Sequence, residues 1–141
     1  VIAAGSATFL DPHVSVGQVT AFEAIALART SPMEAILRMA LVGRYERITA
    51  ERARVLGILS EVVPDDDLEA AAMELAGKVA KNSPAAMAAT KKALWGALEL
   101  GLTDACRAGA AEMMAMWGHP DQTEGPLAWA EKREPQWEIS A

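Results

Sequence analysis

The stretch Ala7-Thr8-Phe9-Leu10-Asp11-Pro12-His13-Val14-Ser15-Val16-Gly17-Gln18-Val19-Thr20 decides how the rest of the chain is read. A short extended run, Ala7 to Phe9, stops at Asp11-Pro12, because proline cannot extend a hydrogen-bonded ladder. His13 then lies in a loop, and Gly17 leads to a helix expected to start at Thr20. Reactive side chains concentrate where a strand stops and a helix starts, since a loop there can face a cleft. His13 exchanges a proton near neutral pH, as a general acid or base must. The plainer reading is a histidine that bonds a loop carbonyl. Glu23 is the nearest following carboxylate in an apolar context. Thr20-Ala21-Phe22-Glu23 also fits a capping box, in which Glu23 would return to its own backbone and do no chemistry.

Outward from this stretch, Val1-Ile2-Ala3-Ala4 opens as if inside a buried strand, which reads plainly as a processed terminus and more sharply as the continuation of a fold that includes residues before Val1. Downstream, Ser31-Pro32-Met33-Glu34 predicts a second helix stopping at Gly43. Thr49 predicts a cap for a helix from Ala50 to Leu56, and Ile58 to Val63 reads as an extended segment closed by Pro64. From Asp65 the pattern becomes helical. Asp65, Asp66 and Asp67 favour a helix start, followed by an apolar stripe of Leu68, Ala72, Leu75 and Val79. Further starts are expected at Ser83-Pro84 (Met87, Leu94 and Leu98 inward), at Thr103, and at Asp121 through a capping box with Glu124. His119 reads as a helix C-terminal cap. Residues 1–64 therefore form a mixed part and residues 65–141 a helical part of four helices, each needing something to pack against.

Composition narrows the function classes. A hydrophobic fraction of 52% over 141 residues supports a packed core. The net charge of −6, with scattered basic residues, argues against a nucleic-acid surface. One cysteine, Cys106, excludes an internal disulfide or a multi-cysteine metal site. No apolar run reaches the ~18 residues of a membrane span. These features favour a soluble, cytoplasmic protein without bound metal. Phosphate loop and nucleophile elbow patterns are lacking. The basic pairs Lys91-Lys92 and Lys132-Arg133 read as solvated surface, and four tryptophans mark core or subunit interface.

The opening stretch, together with Val1-Ile2-Ala3-Ala4, resembles the middle of the enoyl-CoA hydratase/isomerase (crotonase) superfamily. Its pattern there runs through Ile-Ala-Ala to Phe-x-x-Pro-Glu and a glycine. Further matches follow in order: Met39 to Gly43, Ile48 to Ala53, Gly57 to Pro64, Ser83-Pro84 with Lys91, and Asp121 to Arg133. The resemblance covers the whole chain but only the C-terminal portion of the family's length. It implies an α/β, crotonase-like spiral, of which this mainly helical chain holds the end of the core (1–64). A helical region through which relatives form trimers and hexamers (65–141) would follow. In relatives, the preceding part carries one or both oxyanion-hole amides.

The resemblance also implies an enzyme of fatty acid metabolism, a lyase or isomerase acting on an acyl-CoA thioester. Coenzyme A enters as part of the substrate, and no cofactor is held tightly. The departures are specific. His13 stands where hydratases carry a catalytic glutamate, Ala21 where isomerases often carry aspartate, and Thr20 to Ala24 replaces a Pro-Gly-x-Gly-Gly segment. Two-glutamate hydration is therefore in doubt, and relatives with histidine at this position leave hydrolysis open. The implied site is His13 with Glu23 as catalytic pair, and Lys132 on the coenzyme A phosphates of a neighbouring subunit. Two other readings stay open: a non-catalytic remnant that serves as an oligomerisation module, and a helical domain unrelated to coenzyme A.

Overall fold

The computed structural model describes residues 1–138. Its contacts divide the chain into two units, Val1–Glu74 and Leu75–Ala141, with the division inside a helix. The change from strand-bearing to all-helical chain comes earlier, after Pro64.

In the first unit, β1 (Ile2–Ala4) pairs in parallel with β4 (Glu61–Val63), and β2 (Thr8–Phe9) pairs antiparallel with β3 (Ile48–Thr49). The expected extended segments are thus present, though the strand within Ile58–Val63 is confined to its last three residues. Between the strands lie α1 (Phe22–Ala28), α2 (Met33–Val42) and α3 (Ala50–Val55). Small residues let α3 lie close to the strands: Ala3, Ile48, Ala50, Ala53 and Leu59 form the buried centre, with Phe9, Met39 and Ile58 packed around it. Thr49 caps α3 by accepting the Arg52 amide at 3.2 Å, as its sequence position predicts. Asp65 accepts the Ser6 amide at 2.9 Å, which fixes the chain after β1 to the end of β4.

Other expected caps are not made. The α1 ladder begins with the Ile25 amide on the Ala21 carbonyl, so Ala21 holds the cap position and Thr20 lies outside the helix. The Thr20–Glu23 capping box is therefore absent. Pro32 occupies the cap position of α2, and the hydroxyl of Ser31 has no hydrogen-bond partner among the described residues. Gly43 does end α2.

Helix α4 (Leu68–Ala80) contains the division between the units. In the second unit, α5 (Pro84–Ala97) and α6 (Leu102–Ala115) form a packed helical hairpin, and α7 (Asp121–Glu131) follows. Ser83 caps α5 through the Ala86 amide, with Pro84 opening the helix as expected. Helix α6 starts at Leu102, with Gly101 rather than Thr103 at its cap position, since the Gly101 carbonyl already accepts the Ala105 amide. Asp121 and Glu124 make no capping box because their oxygens are engaged elsewhere. Asp121 accepts the buried Ser83 hydroxyl and the Glu138 amide, while Glu124 accepts the Arg133 guanidinium and the Gln136 amide. Residues 134–138 are irregular, as expected, and are held by these bonds and by Trp137, whose indole donates to the Lys81 carbonyl at 2.7 Å. His119 does not cap α6; its Nδ1 accepts the Asp121 amide at the start of α7.

The expected apolar stripes of the later helices are only partly covered among the described residues, where Leu68, Met87 and Leu98 are half-buried. Leu94, read as inward-facing, is 67% exposed, and Leu75 and Val79 are also exposed. Among the described residues, no helix is long and apolar enough to cross a membrane.

Candidate active site

Pro12 ends the run from β2, and residues 13–16 turn tightly, closing on Gly17 at φ +75°. Asp11 makes this turn specific. Its Oδ1 accepts the His13 amide at 3.0 Å, an Asx turn, and also the His13 ring at Nδ1, 2.6 Å away. Asp11 is buried, whereas the His13 side chain is 31% exposed. Behind the turn, Ser15 Oγ accepts the Arg44 amide at 2.9 Å, so the turn is tied to the segment that follows α2.

Because Thr20 does not cap α1, Glu23 is released from its expected backbone bond, and it lines the same cavity as His13 and Asp11. That cavity, of about 210 Å³, has apolar walls supplied mainly by Phe9, Leu27, Met39 and Ile58. The structure thus brings His13 and Glu23 to one pocket. Asp11, which in the sequence reads only as the end of a strand, joins them; an aspartate two residues before the histidine is the spacing of an Asx turn.

The electrostatics follow from these contacts. The hydrogen bond to Asp11 raises the His13 pKa; partial burial opposes it, and the charges of Asp11 and Glu23 add to the rise. Burial pushes the Asp11 carboxyl up, but the nearby Thr20 hydroxyl and the His13 amide and ring outweigh it and hold the carboxyl below its usual value. Among the described residues the Thr20 hydroxyl oxygen has no hydrogen bond of ordinary geometry, so its influence on Asp11 is one of proximity. A histidine held by a carboxylate at Nδ1, with Nε2 unbonded among the described residues, can exchange a proton with a molecule in the cavity.

Lys132 belongs to the second unit, at the end of α7. The amides of Lys132 and Arg133 turn back to the Trp129 and Ala128 carbonyls, a Schellman ending that puts Lys132 at φ +55°, where glycine is usual. Arg133 beside it pairs with Glu124 and Glu131. Lys132 makes no ion pair among the described residues. No group of three or more metal-ligating side chains is assembled among them either.

The family model for enoyl-CoA hydratase/isomerase matches residues 1–140. The crystal structure of an enoyl-CoA hydratase/isomerase from Mycobacterium paratuberculosis is 40% identical and superposes with a TM-score of 0.94, over 99% of this chain and 55% of that one. The mouse mitochondrial enoyl-CoA hydratase domain-containing protein 3 is 32% identical across 96% of this chain and 45% of its own length. Carnitinyl-CoA dehydratase from Proteus mirabilis is 32% identical across 97% of this chain and 54% of its own. The chain therefore spans about half the length of the curated relatives it matches. The expected α/β, crotonase-like fold, seen here as a mainly helical C-terminal portion, is the fold of these neighbours. By the family model and the structural match together, this chain belongs to the enoyl-CoA hydratase/isomerase, or crotonase, family.

Proposed function

We propose that the protein acts on an acyl-CoA thioester as a lyase or isomerase, with His13 as general acid/base and Glu23 as the second proton-transferring group. The observation that carries this reading is the placement of His13 and Glu23 on one apolar-walled cavity. An acyl chain fits such walls, and either removal of the α-proton or addition of water to a 2-enoyl double bond places the charge on the thioester oxygen as an enolate, which backbone amides can hold. His13 would take or return the proton at the acyl chain, and Glu23 would orient water or accept the second proton. Exchanging glutamate for histidine at residue 13 still supplies a base, one whose titration lies closer to neutrality. Lys132, exposed and without an ion pair among the described residues, would meet a coenzyme A phosphate. No bound cofactor is required by this scheme.

The decisive measurement is turnover of 2-enoyl-CoA thioesters by protein expressed from the full natural reading frame. His13→Ala should lower kcat/KM by roughly 100-fold or more, the usual contribution of a positioned acid/base. Full turnover in that variant would remove His13 from the role.

A second reading, association of the helical half, is favoured by a separate observation. Trp117 is 76%, Leu102 82% and Trp129 87% exposed on the second unit, and an interface between copies would bury side chains of this kind. Self-association as a trimer or hexamer would cover it, and it accompanies the enzyme reading rather than replacing it. Sedimentation as a monomer across micromolar concentrations would count against this assembly.

A further inference from the structure

The geometry points to Asp11 as the positioning residue of the site: its carboxylate fixes His13 as the Nδ1–H tautomer and so leaves Nε2 as the atom that exchanges protons. A single oxygen, Oδ1, takes both the His13 amide at 3.0 Å and the ring Nδ1 at 2.6 Å. Backbone and ring are therefore clamped by the same acceptor, and the ring cannot flip its nitrogens without losing a bond to a buried carboxylate. An ionised carboxylate only accepts, so the proton of neutral His13 must reside on Nδ1. Burial of Asp11 makes this costly to undo, because a buried carboxylate left unpaired is heavily penalised. The turn beneath is equally constrained, through the Ser15 hydroxyl and the Arg44 amide.

The charged groups around the ring are few. Asp11 lies on its own segment, and Glu23 approaches from α1. Arg44, on the turn at residues 43–45 that packs against residues 13–16, carries its guanidinium over the Tyr45 ring, 5.2 Å from the centroid. Among the described residues, Asp11 is the one that both hydrogen-bonds the ring and orients it. Its chemical consequence rests on the proposed acid/base role of His13, since a fixed Nε2 lone pair matters only if that atom meets the substrate.

The chain holds an internal reference. Its other histidine, His119, accepts the Asp121 amide at Nδ1, which places the proton of its neutral ring on Nε2. Nitrogen-15 NMR of imidazole-labelled protein above the titration range should therefore show two neutral histidines of opposite tautomer: Nδ1–H for His13 and Nε2–H for His119. Asp11→Asn should release His13 to a tautomer mixture and shift its titration midpoint downward, while His119 is unmoved. Should that variant not fold, the wild-type spectrum decides alone. An Nε2–H signal from His13, or a His13 signal unchanged by Asp11→Asn in a folded variant, overturns the assignment. Fixed tautomer with full turnover in His13→Ala would instead sink the acid/base reading while leaving the positioning by Asp11 intact.

Discussion

Gly43 faces Ser15 so closely that a Cβ on residue 43 would overlap the Ser15 hydroxyl and press on Val14. The backbone at Gly43, with φ +66° and ψ −138°, is also one that side chains disfavour. Gly43 is thus where the end of α2 fits against the turn that carries His13. Gly43→Ala should destabilise by roughly 2–4 kcal/mol, from backbone strain plus overpacking. Urea denaturation of the variant, with Ser15→Gly as partner in a double-mutant cycle, separates the two causes. Ser15→Gly should restore the overpacking part only and leave the strain.

Acid should act on the second unit through Glu124. Hydrogen bonds from Arg133, then from the Gln136 amide, lower its pKa to about 2 against a modest opposing effect of burial. A depressed carboxylate contributes stability that is present above its ordinary value of 4.5 and is lost as pH falls towards about 2. Glu124→Gln should remove that pH dependence. The urea midpoints of wild type and variant should differ at pH 6 and converge near pH 2, and a constant difference across that range would show that the Glu124–Arg133 pair does not govern it.

Trp137 is the one tryptophan that is half-buried; Trp95, Trp117 and Trp129 are exposed. Its ring lies over Gly125, where an added Cβ would meet it at 3.2 Å, and its indole N–H donates to the Lys81 carbonyl. Trp137→Ala should cost about 2 kcal/mol, a partial version of a buried aromatic truncation. It should also remove the bluest component of the tryptophan fluorescence. Gly125→Ala should produce a smaller loss by displacing the same ring.

Local signals carried part of this structure and non-local ones the remainder. The run at Ala7–Phe9, the stop at Gly43 and the caps at Thr49 and Ser83 were readable because each depends on neighbours within a few residues. The partner of β1 was not, since Ile2 pairs with Glu61 and nothing near Ile2 records that register. Asp121-Gln122-Thr123-Glu124 has the same local form as a working capping box. It fails because Ser83, Arg133 and the tail amides, distant in sequence or outside the motif, take the carboxylate oxygens. The site divides in the same way. His13 stood out by its chemistry at a strand end. Glu23 looked like a backbone cap, and only the later start of α1 brings it to the cavity. Asp11 was hidden as punctuation before Pro12.

Lys132 gives the sharpest separation of stability from binding. A left-handed residue with a side chain costs roughly 1 kcal/mol relative to glycine, so Lys132→Gly should raise stability by about that amount. The same change deletes the cation proposed to meet a coenzyme A phosphate. For protein from the full reading frame, KM for the acyl-CoA should therefore rise in Lys132→Gly while kcat holds. The matching N-acetylcysteamine thioester, which lacks the nucleotide phosphates, should be turned over equally well by both proteins. Lys132→Arg, which keeps the charge and the backbone cost, should behave as wild type in both assays. Equal KM values for the acyl-CoA in wild type and Lys132→Gly would remove Lys132 from the binding site and leave its left-handed backbone as a feature of the helix ending alone.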